Sequence, residues 1–124
     1  MVEDYEDVSL MRQYQKQAVR KNIYCYKDMI LHTKEKYVVI RGVEVILTTK
    51  EYEILELLLE NPGRVYTKVD LYELLWHQYC SGADYAIKTH ISNLRNKLKK
   101  LNPTQDYIET VWGLGYRLKQ DDSI

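Results

Sequence analysis

The sequence predicts an α+β fold in which four short strands precede three helices and a two-stranded hairpin closes the chain. Three observations point to it. Short runs rich in β-branched and aromatic residues alternate with turn-like pairs over 23–47. Capping patterns open two helices, at Thr48 with Glu51 and at Thr67 with Asp70. Gly113-Leu114-Gly115 connects two strand-like runs near the C-terminus.

The first four strands are Ile23–Tyr26, Met29–His32, Tyr37–Arg41 and Glu44–Leu47. Their connections, Lys27-Asp28, Thr33–Lys36 and Arg41-Gly42, are brief enough to force antiparallel neighbours. The first helix follows at once, with Leu47 and Tyr52 spaced as a hydrophobic staple. Leu55, Leu58 and Leu59 form its buried stripe, Glu51, Glu53, Glu56 and Glu60 lie largely away from it, and Asn61-Pro62-Gly63 ends it. The second helix runs from Thr67 to near Trp76, with Leu71, Leu74 and Leu75 as its apolar face. His77–Asp84, containing Ser81-Gly82, is a loop longer than a minimal helix-turn-helix turn. The third helix spans about Tyr85 to Lys100 with Asp84 as cap, and the hairpin strands are Tyr107–Trp112 and Tyr116–Leu118.

The 124 residues, 45% of them hydrophobic, suit one domain with a tail at either end. Residues 1–22 are the N-terminal tail or linker, with Leu10, Met11, Tyr14 and Ala18 near helical spacing; 23–119 form the domain; 120–124 are an acidic tail. With 12 Tyr, 2 Trp and no Phe, tyrosines must fill core and surface sites alike, so a single Tyr says little about function. The formal charge is zero, but six acids crowd the ends, and residues 8–120 hold 18 basic against 12 acidic residues. A partner feels that local excess, not the sum. Cys25 and Cys80 match no metal-ligand spacing and are expected as reduced thiols. No apolar run is long enough to span a bilayer and the acidic start is not a secretory signal, so the expectation is a soluble, cytoplasmic protein without membrane contact.

The third helix carries the chemistry. Ile87, Ile91, Leu94 and Leu98 share one narrow face, which must pack on the core. Tyr85, Thr89, Ser92 and Asn96 lie opposite, flanked by Lys88, Arg95 and Lys99 on one side and Asn93 and Lys97 on the other. No acid occurs between Tyr85 and Lys100, while five cations do. Small polar side chains can approach base edges and flanking cations can meet phosphates, with counterion release adding affinity. A solvated amphipathic helix would show the same pattern, but a Gly-tipped ribbon following it can place helix and ribbon on adjacent grooves. That arrangement is a winged helix-turn-helix.

The chain resembles the DNA-binding output domain of bacterial two-component response regulators of the OmpR/PhoB type. Five segments carry the resemblance, which covers about Ile23 to Leu118: Leu47 through Leu55, Asn61-Pro62-Gly63-Arg64-Val65, Leu71 through Trp76, His90 through Leu98, and Ile108 through Arg117. It implies a third helix in the major groove; on that helix Thr89, Ser92 and Asn93, with Lys88 nearby, are expected to face base edges. It implies a wing, with Trp112, Gly113, Gly115 and Arg117, reaching toward the minor groove. Backbone contacts are expected from Trp76, Tyr85, His90, Arg95, Lys97, Thr110 and Tyr116. The 77–84 loop sits where family members can touch RNA polymerase. The partners implied are double-stranded DNA at direct-repeat half-sites and a receiver domain; without DNA a monomer is expected. No whole receiver fits ahead of Ile23, so a fragment of a longer regulator, with Met11–Lys21 as interdomain linker, is favoured over a natural stand-alone domain. Family members often carry Arg where this chain has Tyr85 and Trp112, and Asp where it has Lys88.

Arg95 falls about 70° from the core centre on a helical wheel, where its stem packs and its head reaches a phosphate; the alternative is a salt bridge to Glu73 or Asp70. Trp112 is expected to pack against the wing or third helix, because a large indole is more often buried than bare. His32, His77 and His90 have no nucleophile or acid at a telling spacing, so neither a catalytic site nor a metal or cofactor is expected. The competing function is a winged-helix protein-interaction module, with the acidic first helix as its partner face.

Overall fold

The computed structural model describes residues 22–78 and 81–120. Most of the tail assigned to 1–22, the linker within it, Cys80 and nearly all of the acidic C-terminal segment lie outside the described residues. The first four strands are β1 (Ile23–Tyr26), β2 (Met29–His32), β3 (Tyr37–Ile40) and β4 (Val43–Val45), joined in that order as an antiparallel sheet. Three helices follow: α1 (Thr49–Glu60), α2 (Lys68–Trp76) and α3 (Ala83–Leu101). The hairpin β5 (Ile108–Val111) and β6 (Gly115–Leu118) closes the fold.

The period-two alternation of the strands decides which face is inside. Met29, Leu31, Val38, Ile40 and Val45 are buried and pack on the helices, while Ile23, Cys25 and Ile30 face outward. β4 is shorter than expected and ends before Ile46, which is 76% exposed. The three helices meet over a core of Ile54, Leu55 and Leu58 from α1, Leu71 from α2, and Ile87, Ile91, Leu94 and Leu98 from α3.

Both capping boxes form. The Thr48 backbone N–H donates to Glu51 Oε1 at 2.9 Å and the Glu51 N–H to Thr48 Oγ1 at 3.2 Å; Thr67 and Asp70 repeat the exchange. Three local expectations are corrected. α3 begins at Ala83, with Gly82 at the cap position and Asp84 inside the first turn, so the loop before it is shorter than expected. α2 ends at Trp76 as expected, with His77 capping it in the left-handed conformation and donating its backbone N–H to Glu73 O. Leu74 is 44% exposed and Tyr72 takes its place in the core. Glu51, expected on the solvent side, is only 2% exposed, because α3 crosses over the N-terminus of α1 and covers it.

A polar cluster ties the sheet to the end of α3. Asp28, in the β1–β2 turn, accepts from Asn102 Nδ2 at 2.6 Å, from the Tyr107 hydroxyl and from Arg41 Nε at 3.0 Å. Burial raises the Asp28 pKa, but these donors outweigh it and hold the carboxyl below its usual range. Burial, and then the neighbouring carboxylate, push the Tyr107 hydroxyl up to about 12.

Candidate nucleic-acid interface

α3 is amphipathic along its whole length. With its apolar side locked into the core, it must present Lys88, Thr89, Ser92, Asn93 and Asn96 to solvent on one exposed strip. Tyr85, one turn earlier, is 78% exposed. The wing stands beside this strip. Between them lies a groove of about 290 Å³ lined by Lys88, Ile91, Ser92, Arg95, Asn96, Lys99 and Tyr116. Three of those seven side chains are cations; Lys99 lies 3.5 Å from Asp106, and Lys88 and Arg95 give the groove its positive charge.

The wing is fixed to the body at its base. Tyr66 and Tyr116 exchange backbone hydrogen bonds of 2.8 and 2.9 Å, which adds a bridge beside the hairpin. Gly115 makes this possible. A Cβ there would stand 2.0 Å from Tyr66 O, and its φ of +156° disfavours other residues. From the other side, Arg95 Nη2 donates to Thr110 Oγ1 at 2.7 Å and to Ile108 O at 3.1 Å, with its guanidinium over the Tyr116 ring. Arg95 therefore has internal partners, and neither is Glu73 or Asp70. Tyr116 itself is buried, its ring beneath Arg95.

Lys97 is drawn inward as well. Its ammonium lies 2.7 Å from Oε1 of the buried Glu51. Burial raises the Glu51 pKa, but Lys97 and the Thr48 N–H outweigh it and keep the carboxyl below its ordinary value. Arg117 pairs across the hairpin with Glu109 at 3.1 Å. Trp112 overturns the packing expectation: it is 92% exposed at the wing apex, where the turn carries it past every neighbouring element.

Trp76 sits at the end of α2, half-buried. It stacks on Tyr72 with centroids 4.4 Å apart and meets the His90 ring at 5.6 Å. Lys50 completes this cluster: its Nζ lies 4.8 Å from the Trp76 ring and donates to Leu75 O at 2.8 Å, capping the last turn of α2. Sequence reasoning missed Lys50, because the carbonyl it caps belongs to a different helix, 25 residues away. It also missed Tyr66, whose role depends on a hairpin 50 residues later. Among the described residues no group of His, Cys, Asp or Glu could hold a metal, and no helix is long and apolar enough to cross a membrane.

The model of the family described as "Transcriptional regulatory protein, C terminal" matches residues 42–118. The chain belongs to this family. It is a DNA-binding output domain of the response-regulator type. It is 35% identical over 100 residues to the transcriptional regulatory protein ResD of Bacillus subtilis, covering 80% of this chain and 42% of that one. It superposes on the response regulator DrrB, a Thermotoga maritima OmpR/PhoB homologue, with a TM-score of 0.73 and 26% identity, over 97% of this chain and 55% of that one. The DNA-binding domain of the response regulator AdeR, solved in complex with an intercistronic region, matches with a TM-score of 0.65 and 28% identity, over 78% of this chain and 99% of that domain. The chain spans about two-fifths of the length of the curated relatives named first by similarity. Within the output domain, the sequence-derived residues divide in two. Lys88, Thr89, Ser92 and Asn93 share one exposed surface, whereas Arg95, Lys97 and Arg117 are held by partners within the protein.

Proposed function

We propose that the output domain reads a specific double-stranded DNA sequence with α3 in the major groove and the β5–β6 wing toward the minor groove. One observation carries this: the exposed strip of Lys88, Thr89, Ser92 and Asn93 borders a positive groove whose far wall is the wing. An α-helix fits the major groove of B-DNA, and short amides and hydroxyls can make the bidentate or single contacts that distinguish bases. Tyr85, Thr110 and the Trp76–His90 cluster border the strip, where they meet phosphates. Arg95 positions the wing and offers its remaining N–H groups to the backbone. The role is binding, not catalysis, and it is exercised in the cytoplasm.

One such helix covers a short half-site, so two copies bind direct repeats in tandem while the free domain stays monomeric. In a longer regulator a receiver domain precedes this one, and the connection between α2 and α3 faces RNA polymerase. The test is Asn93→Ala, assayed against a duplex selected from a random pool by the wild-type chain and against an unrelated duplex. The expected outcome is a loss of about 1–3 kcal/mol on the selected duplex and almost none on the other. An equal loss on both would make Asn93 a backbone contact, and failure of the wild-type chain to enrich any duplex would reject the reading.

A further inference from the structure

We infer that the wing apex is an uncharged wedge, Trp112 with Leu114, that contacts the minor groove and selects deformable base steps. The inference rests on the DNA-binding reading above and specifies how its second contact is made.

The apex carries the most exposed large hydrophobic side chain among the described residues. Trp112 is 92% and Leu114 60% exposed, and they flank Gly113 at the hairpin turn. The apex is held out, not dangling. The Tyr66–Tyr116 bridge, the close seat of Gly115 on Tyr66 and the two Arg95 hydrogen bonds all fix the hairpin base. An apolar side chain carried on a braced backbone turn gives up little backbone freedom when it is covered.

Charge points to the mode of contact. A wing that reads a narrow minor groove electrostatically needs a cation at its tip. This hairpin has none to offer: from Ile108 to Leu118 its only charged residues are Glu109 and Arg117, and they pair with each other at 3.1 Å. What remains at the tip is an indole and an isobutyl group. Apolar groups act in the minor groove by wedging at a base step and partly unstacking it. The cost of that distortion depends on the step and is least for TA and CA/TG steps. The wing should therefore favour a pyrimidine–purine step at the position beneath it and add affinity that salt does not screen.

The experiment uses the full chain and a single-repeat duplex taken from the selected pool, with 2-aminopurine at the step beneath the wing. Variants of that duplex carry TA, AA or GC there. Wild-type binding should brighten the 2-aminopurine and rank TA first. Trp112→Ala should lower affinity about tenfold, in line with the loss of an aromatic–base contact. It should also abolish the step preference and the brightening, and leave the salt slope and melting temperature unchanged. Trp112→Arg should steepen the salt slope and move the preference toward AA. Unchanged affinity and step ranking in Trp112→Ala would overturn the wedge, with the Asn93→Ala result still supporting DNA reading by α3. A loss seen only on duplexes with two repeats would also overturn it, because the apex would then touch a second copy of the chain.

Discussion

Along α3, the stretch Lys88–Asn93 and the stretch Arg95–Lys99 differ in what their side chains meet. In the first, Lys88, Thr89, Ser92 and Asn93 project into solvent. In the second, Arg95 is bonded to β5, Lys97 to the buried Glu51, and Lys99 lies 3.5 Å from Asp106. The cations of α3 crowd its C-terminal half, yet Lys97 and Lys99 meet carboxylates there and Arg95 is held by the wing, whereas Lys88 projects into solvent. The physical reason is geometry. The C-terminal half of α3 runs between α1 and the wing, so a cation there meets carboxylates and carbonyls of the protein before it can meet those of a partner. One helix thus serves as reading surface over its first turns and as structural strut over its last.

The strut fails most severely where it meets the wing. Gly115→Ala places a methyl group against Tyr66 O and forces a disfavoured φ, so β6 must retreat from Tyr66 and the Arg95–Thr110 contact is pulled apart. Strain and displaced backbone together should cost about 3 kcal/mol. That lowers the melting temperature by more than roughly 10 °C in a domain of this size. Normal melting would show that the wing base adjusts at little cost and that Arg95 is not needed as a strut.

Glu51 gives the next largest effect. Glu51→Gln keeps the shape and the acceptor for the Thr48 N–H, but removes the charge that faces Lys97. Losing one partner of a buried pair is costly, and Lys97, about one-third exposed, recovers part of the loss by turning toward water. We expect about 2 kcal/mol of destabilisation at neutral pH. The sign of the pH dependence follows from the lowered pKa. The stabilisation is fully present above the ordinary Glu value of 4.5 and is lost as pH falls through the lower folded value. Urea titrations of the two proteins should therefore differ at pH 7 and converge in acid; a constant gap would assign the effect to packing.

The parts of this division that the sequence shows are local ones. Both capping boxes, the α3 apolar face and the glycine hairpin are encoded within a few residues of themselves, and the structure forms each. Glu51 illustrates what is not local. Its place in a capping box is legible from Thr48, but its burial depends on Lys97, 46 residues away, which crosses above it only after folding. Leu74 and Tyr72 exchange places because helical spacing leaves room for either to face the core, and the stacking of Tyr72 on Trp76 decides between them. Trp112 was expected to pack because apolar area favours burial, but a tight turn at the end of a two-stranded ribbon has nothing within reach to bury it. Of the site, the exposed strip of α3 was legible, because it is the complement of the core face. The commitments of Arg95, Lys97 and Arg117 were not, because each partner comes from another element or from across the hairpin.

The smallest expected effect separates the two halves of α3 most directly. If Lys88 meets a phosphate, Lys88→Ala removes one counterion-releasing contact. The slope of log affinity against log salt should then fall by about 0.9 in magnitude. Lys88 lies on the solvent side of α3, so the melting temperature should stay where it was. Lys97→Ala should do the opposite. It leaves Glu51 buried without its cation, so the domain melts earlier. Its salt slope should hardly change, because the charge removed was already balanced by Glu51 and faced away from the strip. The comparison needs both curves from both variants at temperatures where each remains folded. Were Lys97→Ala to flatten the salt dependence as much as Lys88→Ala does, the Glu51 pair would have to open on DNA, and the C-terminal half of α3 would join the binding surface. Were Lys88→Ala to leave the slope untouched, Lys88 would face base edges and not phosphates, a contact whose loss shows as altered sequence preference at constant salt dependence.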